Sequence, residues 1–235
     1  MAWDQFGPDY DLPAFHGDAR TYVIASTARS GSHMLGHLMH ATGALGSPLE
    51  YLHPKHLATW QERLGTGSPA ETLRALMARR TSPSGWFGVK AHWQHMAPAL
   101  RDDELMAVLD VRDWVRITRQ DEVAQAVSLA IARQTGAWIS FHETRREPEY
   151  DRALVAECLD SVQAAEGRWQ RFFASRGVEP HVVVYEELLA EPDAEIAQVC
   201  RRLGVPVPDE PLQAGTQRQA TDVNDAWRAR FLAGS

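Results

Sequence analysis

Residues 21–43 change hydrophobic period once. Thr21-Tyr22-Val23-Ile24-Ala25-Ser26 is an unbroken β-branched and apolar run, the pattern of a strand buried on both faces. Met34, Leu35, Leu38 and Met39 then recur along one helix face, and Gly43 supplies a C-terminal cap. Only Thr27-Ala28-Arg29-Ser30-Gly31-Ser32 separates the two. A doubly buried strand that turns straight into a helix belongs to a parallel sheet, because neighbouring parallel strands are joined by crossover helices lying on the sheet faces.

The rest of the chain agrees with an α/β class. Trp86-Phe87-Gly88-Val89-Lys90, Trp114-Val115-Arg116-Ile117-Thr118 and Val182-Val183-Val184 read as further strands. Leu105-Met106-Ala107-Val108-Leu109 reads either as a strand or as the end of a short helix. Ser68-Pro69 opens a helix through Leu73, Leu76 and Met77, and Asp121 caps one through Val123, Ala126, Val127 and Ala130. Longer helices are predicted over residues 153–175 and 194–203, the latter ended by Gly204. Residues 1–20 form an irregular leader rich in Asp, Pro and Gly, and residues 21–235 a single domain. Residues 45–85 read as turns with one helix, and residues 134–150 as a polar functional loop or an oligomer contact.

Charge and cysteine content exclude several classes. Thirty-one acidic against 24 basic side chains give a formal charge of −7, which argues against a nucleic-acid partner. Cys158 and Cys200 are too few and too isolated for a disulfide framework or a zinc site, which points to a reduced, cytoplasmic setting. Met1-Ala2-Trp3-Asp4-Gln5-Phe6 has no basic start and no apolar run, so no signal peptide is expected. No stretch reaches the roughly 18 apolar residues of a membrane span.

The loop at 27–32 has the chemistry of an anion site. A tight strand-to-helix turn aims backbone N–H groups and the positive end of the helix dipole at one point. Gly31 permits close approach, Ser30 and Ser32 add hydroxyls, and Arg29 adds a planar cationic fork. An ordinary polar βα loop would look similar. A nucleotide triphosphatase would carry Gly-x-x-x-x-Gly-Lys-Ser/Thr. Here Ser32 follows Gly31 directly, with no lysine between them, and position 26 is Ser. Asp110 is the one residue that could imitate a magnesium-binding aspartate.

Arg29-Ser30-Gly31-Ser32 resembles the 5′-phosphosulfate loop of sulfotransferases that use 3′-phosphoadenosine 5′-phosphosulfate (PAPS), in particular the bacterial trehalose 2-sulfotransferase type. That pattern runs Arg-Ser-Gly-Ser-Thr, and this chain has His33 at the Thr position. Arg119, with Ser128 nine residues on, resembles the 3′-phosphate site. Gly215-Thr216-Gln217-Arg218-Gln219-Ala220 resembles the loop that closes over the nucleotide, and Val182 to Leu188 resembles a strand leading into Tyr-Glu-x-Leu. The order and separation of these short segments carry the likeness, which runs from about Tyr22 to Trp227.

The resemblance implies a P-loop-like three-layer fold, with a central parallel sheet and helices on both faces. It implies PAPS bound through Arg29, Ser30, Gly31, Ser32, His33, Arg119, Ser128, Arg218 and Gln219, with no metal. Glu50, in Ser47-Pro48-Leu49-Glu50-Tyr51, stands where the family has its general base, with His33 the alternate. Lys90, in Gly88-Val89-Lys90, would stabilise the transferring group or the leaving oxygen. The implied acceptor is a small molecule or glycan, a carbohydrate or glycolipid hydroxyl, and the implied assembly a homodimer. Trp93 and Trp138 are candidates to stack on a sugar face. His37, His40, His53 and His56 have spacings a metal could use, but no Cys or acidic cluster completes a site, and they read as helix-face or core residues. Two other readings stay open: a kinase or NTPase of the same general fold, and a non-catalytic nucleotide-binding protein.

Overall fold

Residues 4–138, 147–212 and 222–234 are described by the computed structural model. The chain enters β1 (Arg20–Ser26), turns into α1 (Ser32–Ala41), and continues through α2 (Pro54–Leu64) and α3 (Pro69–Arg80) to β2 (Trp86–His92). Two short helices, α4 (Trp93–Ala99) and α5 (Asp103–Leu109), lead to β3 (Val111–Thr118) and α6 (Glu122–Thr135). Then follow α7 (Arg152–Arg176), β4 (His181–Val184), α8 (Tyr185–Ala190), α9 (Pro192–Leu203) and α10 (Asp222–Leu232). The sheet has the order β2-β1-β3-β4, parallel throughout.

β1 shows why helices must cover both faces. Its alternate side chains serve two cores: Val23 and Ala25 join Leu73 and Leu76 of α3 and Trp169, Phe172 and Phe173 of α7. Tyr22 and Ile24 join Leu35, Leu38 and Met39 of α1 and Ile196, Val199 and Cys200 of α9. The three-layer arrangement follows. A third cluster, with Val127 and Ala130 of α6, Val155 and Cys158 of α7 and Trp227 of α10, seats α10 against that pair. Trp169 Nε1 donates to the carbonyl of Ser26 at 3.0 Å, which ties the last residue of β1 to α7. Among the described residues no helix is long and apolar enough to cross a membrane.

One ambiguity in the sequence reading is resolved, and two departures from it have physical causes. Residues 105–109 are helical: Asp102 accepts from Leu105 N, Leu105 and Leu109 are buried one turn apart, and Asp110 ends the turn with φ 42°. Residues 45–85 hold two helices, not one. α2 has Trp60 as its buried residue and the imidazole of His53 as its N-cap, so neither its apolar stripe nor its cap follows the common pattern. α10 is likewise mostly exposed and buries Trp227 alone, which hid it from periodicity. The loop at 134–150 lies partly outside the described residues.

Over residues 4–19 the leader is irregular apart from a short 3₁₀ turn at Pro8–Tyr10, yet it is anchored. Arg80, the last residue of α3, is fully buried and donates to Asp11 Oδ1 at 3.0 Å, to the Gln5 carbonyl at 2.9 Å and to the Gly7 carbonyl at 3.0 Å. Its guanidinium also lies 4.8 Å from the ring centre of Trp60. A buried cation needs such a shell, and loss of its one carboxylate partner is costly. Asp11→Ala should lower stability by about 2–3 kcal/mol, a fall of about 5–10 °C in melting temperature for a chain of this size. Thermal melts followed by circular dichroism measure it, and an unchanged midpoint would show that the leader is not held through Arg80.

Candidate active site

All strands run the same way, so their carboxyl ends share one edge of the sheet, and the chain moves from β1 to β2 on one side and to β3 on the other. Such a switch of direction opens a crevice at the carboxyl ends. A cavity of about 1130 Å³ lies there, lined by the loop after β1, the end of β2, the start of α6 and the start of α8. Asp110 is at the opposite edge: it precedes β3 and pairs with Arg112 at 2.8 Å, away from any nucleotide crevice.

The loop after β1 is held in an unusual backbone conformation. Arg29 and Gly31 have φ of 62° and 87°. At Gly31 a Cβ would stand 2.2 Å from Cδ2 of Tyr185, so both the dihedral and the space require glycine. Ser30 turns its hydroxyl inward to the Thr27 carbonyl at 2.9 Å, so it closes the loop and does not line the cavity, whereas Gly31, Ser32 and His33 do. Gln125 of α6 donates to Thr27 Oγ1 at 2.9 Å and to the Ala28 carbonyl at 2.7 Å. Thr27 in turn donates to Glu166 of α7 at 2.9 Å, and Arg116 of β3 holds the other oxygen of that carboxylate at 2.6 Å. The loop is therefore fastened from three elements before any ligand arrives.

Two segments ninety residues apart in sequence meet here. Arg29 Nε donates to Ser128 Oγ at 2.9 Å, and its terminal nitrogen donates to the Trp138 carbonyl. Arg119, at the end of β3, donates to the Arg29 carbonyl at 3.4 Å and stacks over the Tyr185 ring at 4.8 Å. Burial and the neighbouring Arg119 bring Arg29 down to about 10, which leaves it cationic at neutral pH. Glu186 accepts from the backbone N–H groups of Gln120 and Asp121 at 3.0 and 3.2 Å, so it caps the start of α6 and lies 3.9 Å from Arg119. Sequence reasoning missed Arg228 of α10, which lines the cavity and pairs with Asp121 at 2.6 Å. Nothing local marks it, because α10 reaches the site through tertiary packing centred on Trp227. Arg218 and Gln219 lie outside the described residues.

At the other end of the cavity Glu50 meets Lys90. Leu49 bridges Val89 in parallel register and accepts from Lys90 N at 2.9 Å, which places residue 50 beside residue 90. Glu50 Oε1 is 2.9 Å from Lys90 Nζ and 3.7 Å from His92 Nε2. Burial by itself would raise the Glu50 carboxyl, but Lys90 and His92 together hold it well below the usual carboxylate range. His33 has Nδ1 3.4 Å from Lys90 Nζ and Nε2 3.1 Å from His37 Nε2. Burial, then Lys90 and His37, push its imidazole far below the ordinary range, and His37 falls to about 4 for the same first two reasons. His53, His56 and His95 line the same end, with ring centres 4.2 Å apart for the first two and 4.6 Å for His53 and His95. Among the described residues no group of three or more His, Cys, Asp or Glu could hold a metal ion. Trp138 lines the cavity; Trp93 packs edge-on against Trp169 at 5.2 Å and does not.

A tight βα loop without a Walker lysine, joined through one cavity to a carboxylate and a lysine, is the equipment of a group-transferring enzyme of the P-loop-like fold. The solved sulfotransferase domain from the curacin biosynthetic pathway shares that fold, with a TM-score of 0.53 at 16% identity over 87% of this chain and 80% of that one. The sequence matches the family described as Stf0 sulphotransferase over residues 21–234, and the chain belongs to that family. It is an enzyme that transfers a sulfuryl group to a hydroxyl. Among its relatives is the trehalose 2-sulfotransferase of Mycobacterium tuberculosis, 27% identical over 259 residues, covering 91% of this chain and 95% of the relative. The trehalose 2-sulfotransferase of Mycolicibacterium smegmatis is 27% identical over 253 residues, 89% and 93% of the two chains.

The electrostatics of Glu50 can be tested directly. With its pKa depressed, the carboxylate favours the folded state at pH values above its unfolded pKa, and that contribution is lost as pH falls through the lower folded pKa. Lys90→Met removes the largest lowering influence and leaves burial dominant. The Glu50 carboxyl should then titrate above the ordinary value of about 4.3, against below it in the parent, by ¹³C NMR of the labelled carboxyl. Unchanged titration would mean that Lys90 does not control this group.

Proposed function

We propose that the sulfuryl donor is PAPS and that the acceptor is a carbohydrate or glycolipid hydroxyl, with Glu50 as the general base. The observation that carries this reading is the single cavity lined at one end by Arg29, Arg119 and Ser128 and at the other by Glu50 and Lys90. A ribose 3′-phosphate calls for the cation-and-hydroxyl set of Arg119 and Ser128, and a 5′-phosphosulfate for Arg29 and the N–H groups at the start of α1. The trehalose in the names of both mycobacterial relatives supports a sugar hydroxyl. A non-catalytic nucleotide binder would not need Glu50 and Lys90 turned into the same cavity.

The chemistry assigned to these residues is an in-line displacement at sulfur. As the acceptor oxygen bonds to sulfur, the bond from sulfur to the 5′-phosphate oxygen breaks, and Glu50 takes the hydroxyl proton. Adenosine 3′,5′-bisphosphate leaves. Lys90 serves both partners: its ammonium holds Glu50 ionised in the resting enzyme and neutralises charge on the transferring group or leaving oxygen. As the remaining N–H of Lys90 engages the donor's oxygens, the ammonium's charge is shared and its hold on Glu50 weakens, and burial then makes the carboxylate a stronger base. Both ring nitrogens of His33 are engaged, by Lys90 and by His37, which supports Glu50 over His33 as the base.

Two measurements test the reading. Adenosine 3′,5′-bisphosphate at a hundredfold excess over its dissociation constant should stabilise the fold by about 2.7 kcal/mol, and AMP much less, in a thermal shift assay. Equal stabilisation by the two would remove the 3′-phosphate site. Glu50→Gln keeps the side chain's size but cannot take a proton. Its turnover should fall by about 10²–10⁴ with binding of adenosine 3′,5′-bisphosphate intact; turnover within a few-fold of the parent would sink the assignment.

A further inference from the structure

His33 occupies the position after Arg29-Ser30-Gly31-Ser32, on the first turn of α1, and lines the cavity. Its ring is held from both sides. Lys90 Nζ is 3.4 Å from Nδ1, and His37 Nε2, one helical turn on, is 3.1 Å from Nε2. An ammonium group can only donate. His33 Nδ1 therefore presents its lone pair to Lys90, and the ring's single proton is on Nε2. That proton is donated to His37 Nε2, which must itself be bare, so His37 carries its proton on Nδ1. The contacts admit one consistent set of tautomers, with both rings neutral.

Lys90 has three N–H bonds to direct. One goes to Glu50 Oε1 at 2.9 Å and one to His33 Nδ1 at 3.4 Å. Among the described residues no further hydrogen-bond acceptor is found for Lys90, which is buried and lines the cavity, so the third N–H is the one available to a ligand. Glu50 and His33 approach the ammonium from different elements, the segment before α2 and the first turn of α1, and two fixed acceptors set the direction of the third bond. With Glu50 alone the ammonium could swing about one contact. We infer that His33 is a positioning residue: as an obligate acceptor at Nδ1 it holds Lys90 between itself and Glu50 and aims the remaining N–H at the transferring group. The inference rests on the role proposed for Lys90.

Asparagine and glutamine separate this role from the alternatives, because Asn carries its amide oxygen near the place of imidazole Nδ1, whereas the longer Gln carries its polar atoms near that of Nε2. With PAPS as donor and trehalose as the probe acceptor, His33→Asn should keep kcat within about threefold of the parent. His33→Gln and His33→Ala should lose about tenfold in kcat, the worth of one hydrogen bond to a charged group, with KM for PAPS unchanged. In a form of the full chain labelled with ¹⁵N at histidine, two-bond ¹H–¹⁵N spectra need no acceptor; they should show His33 as the Nε2–H tautomer, with the Nδ1 signal shifting in Lys90→Met. An Nδ1–H tautomer or an imidazolium overturns the inference. So does a His33→Asn as impaired as His33→Ala, the result expected if His33 were itself the base or mere packing, and so does full activity in all three variants. Full turnover in Lys90→Met overturns the role of the lysine and this inference together. An impaired Lys90→Met beside an equally impaired His33→Asn overturns this inference alone.

Discussion

β1 is buried on both faces and paired on both edges, so the chain has no room to leave it gradually. It must turn within a few residues into the helix that covers it. Arg29 and Gly31 make that turn with positive φ, and the Tyr185 ring fills the space where a Gly31 side chain would be. A left-handed arginine costs of order 1–2 kcal/mol, and it persists because Gln125, Glu166 and Ser128 hold the loop on every side. The same constraint aims the amides of the first turn of α1 at the crevice. The proposed anion site is a consequence of how a buried parallel strand ends.

The charges around the crevice are arranged in two groups of different character. At one end Arg29 and Arg119 are close enough that burial and mutual repulsion lower Arg29, a state that a bound anion would relieve. At the other end a carboxylate and an ammonium neutralise each other at 2.9 Å inside a wall of imidazoles. Burial lowers His33, His37 and His95 and so favours their neutral form. A neutral ring can donate at one nitrogen and accept at the other, and so His33 can hold Lys90 without adding a competing charge next to it.

Wherever local order follows from a repeating pattern, it was readable. β1, α1, α6, α7 and α9 announced themselves through unbroken apolar runs, helical spacing or the capping residues Asp121 and Gly204. α2, α4, α8 and α10 did not, because each buries few residues and takes its place from neighbours. Residues 105–109 were ambiguous for a stated reason, since a five-residue apolar run suits either period, and the side-chain cap from Asp102 decided it. Arg80 could not be distinguished from an ordinary helix-ending arginine, although it is the buried post on which the leader hangs.

The amino-acid sequence by itself determined the α/β class, the parallel sheet and the chemical inventory of the crevice, because hydrophobic period and residue type are local properties. Arg29 was named from the chemistry of its loop, Glu50, Lys90, Arg119 and Ser128 from the family resemblance, and all line the cavity. Only the tertiary structure decided which of them touch. That Arg29 meets Ser128, that Leu49 pairs with β2 and so delivers Glu50 to Lys90, and that His33 is caught between Lys90 and His37 are facts of register and helix packing. The same is true of Arg228, brought to the site by the seating of Trp227. Contacts between residues forty or more apart depend on how strands align and helices dock, which is a property of the whole core and is written in no single segment.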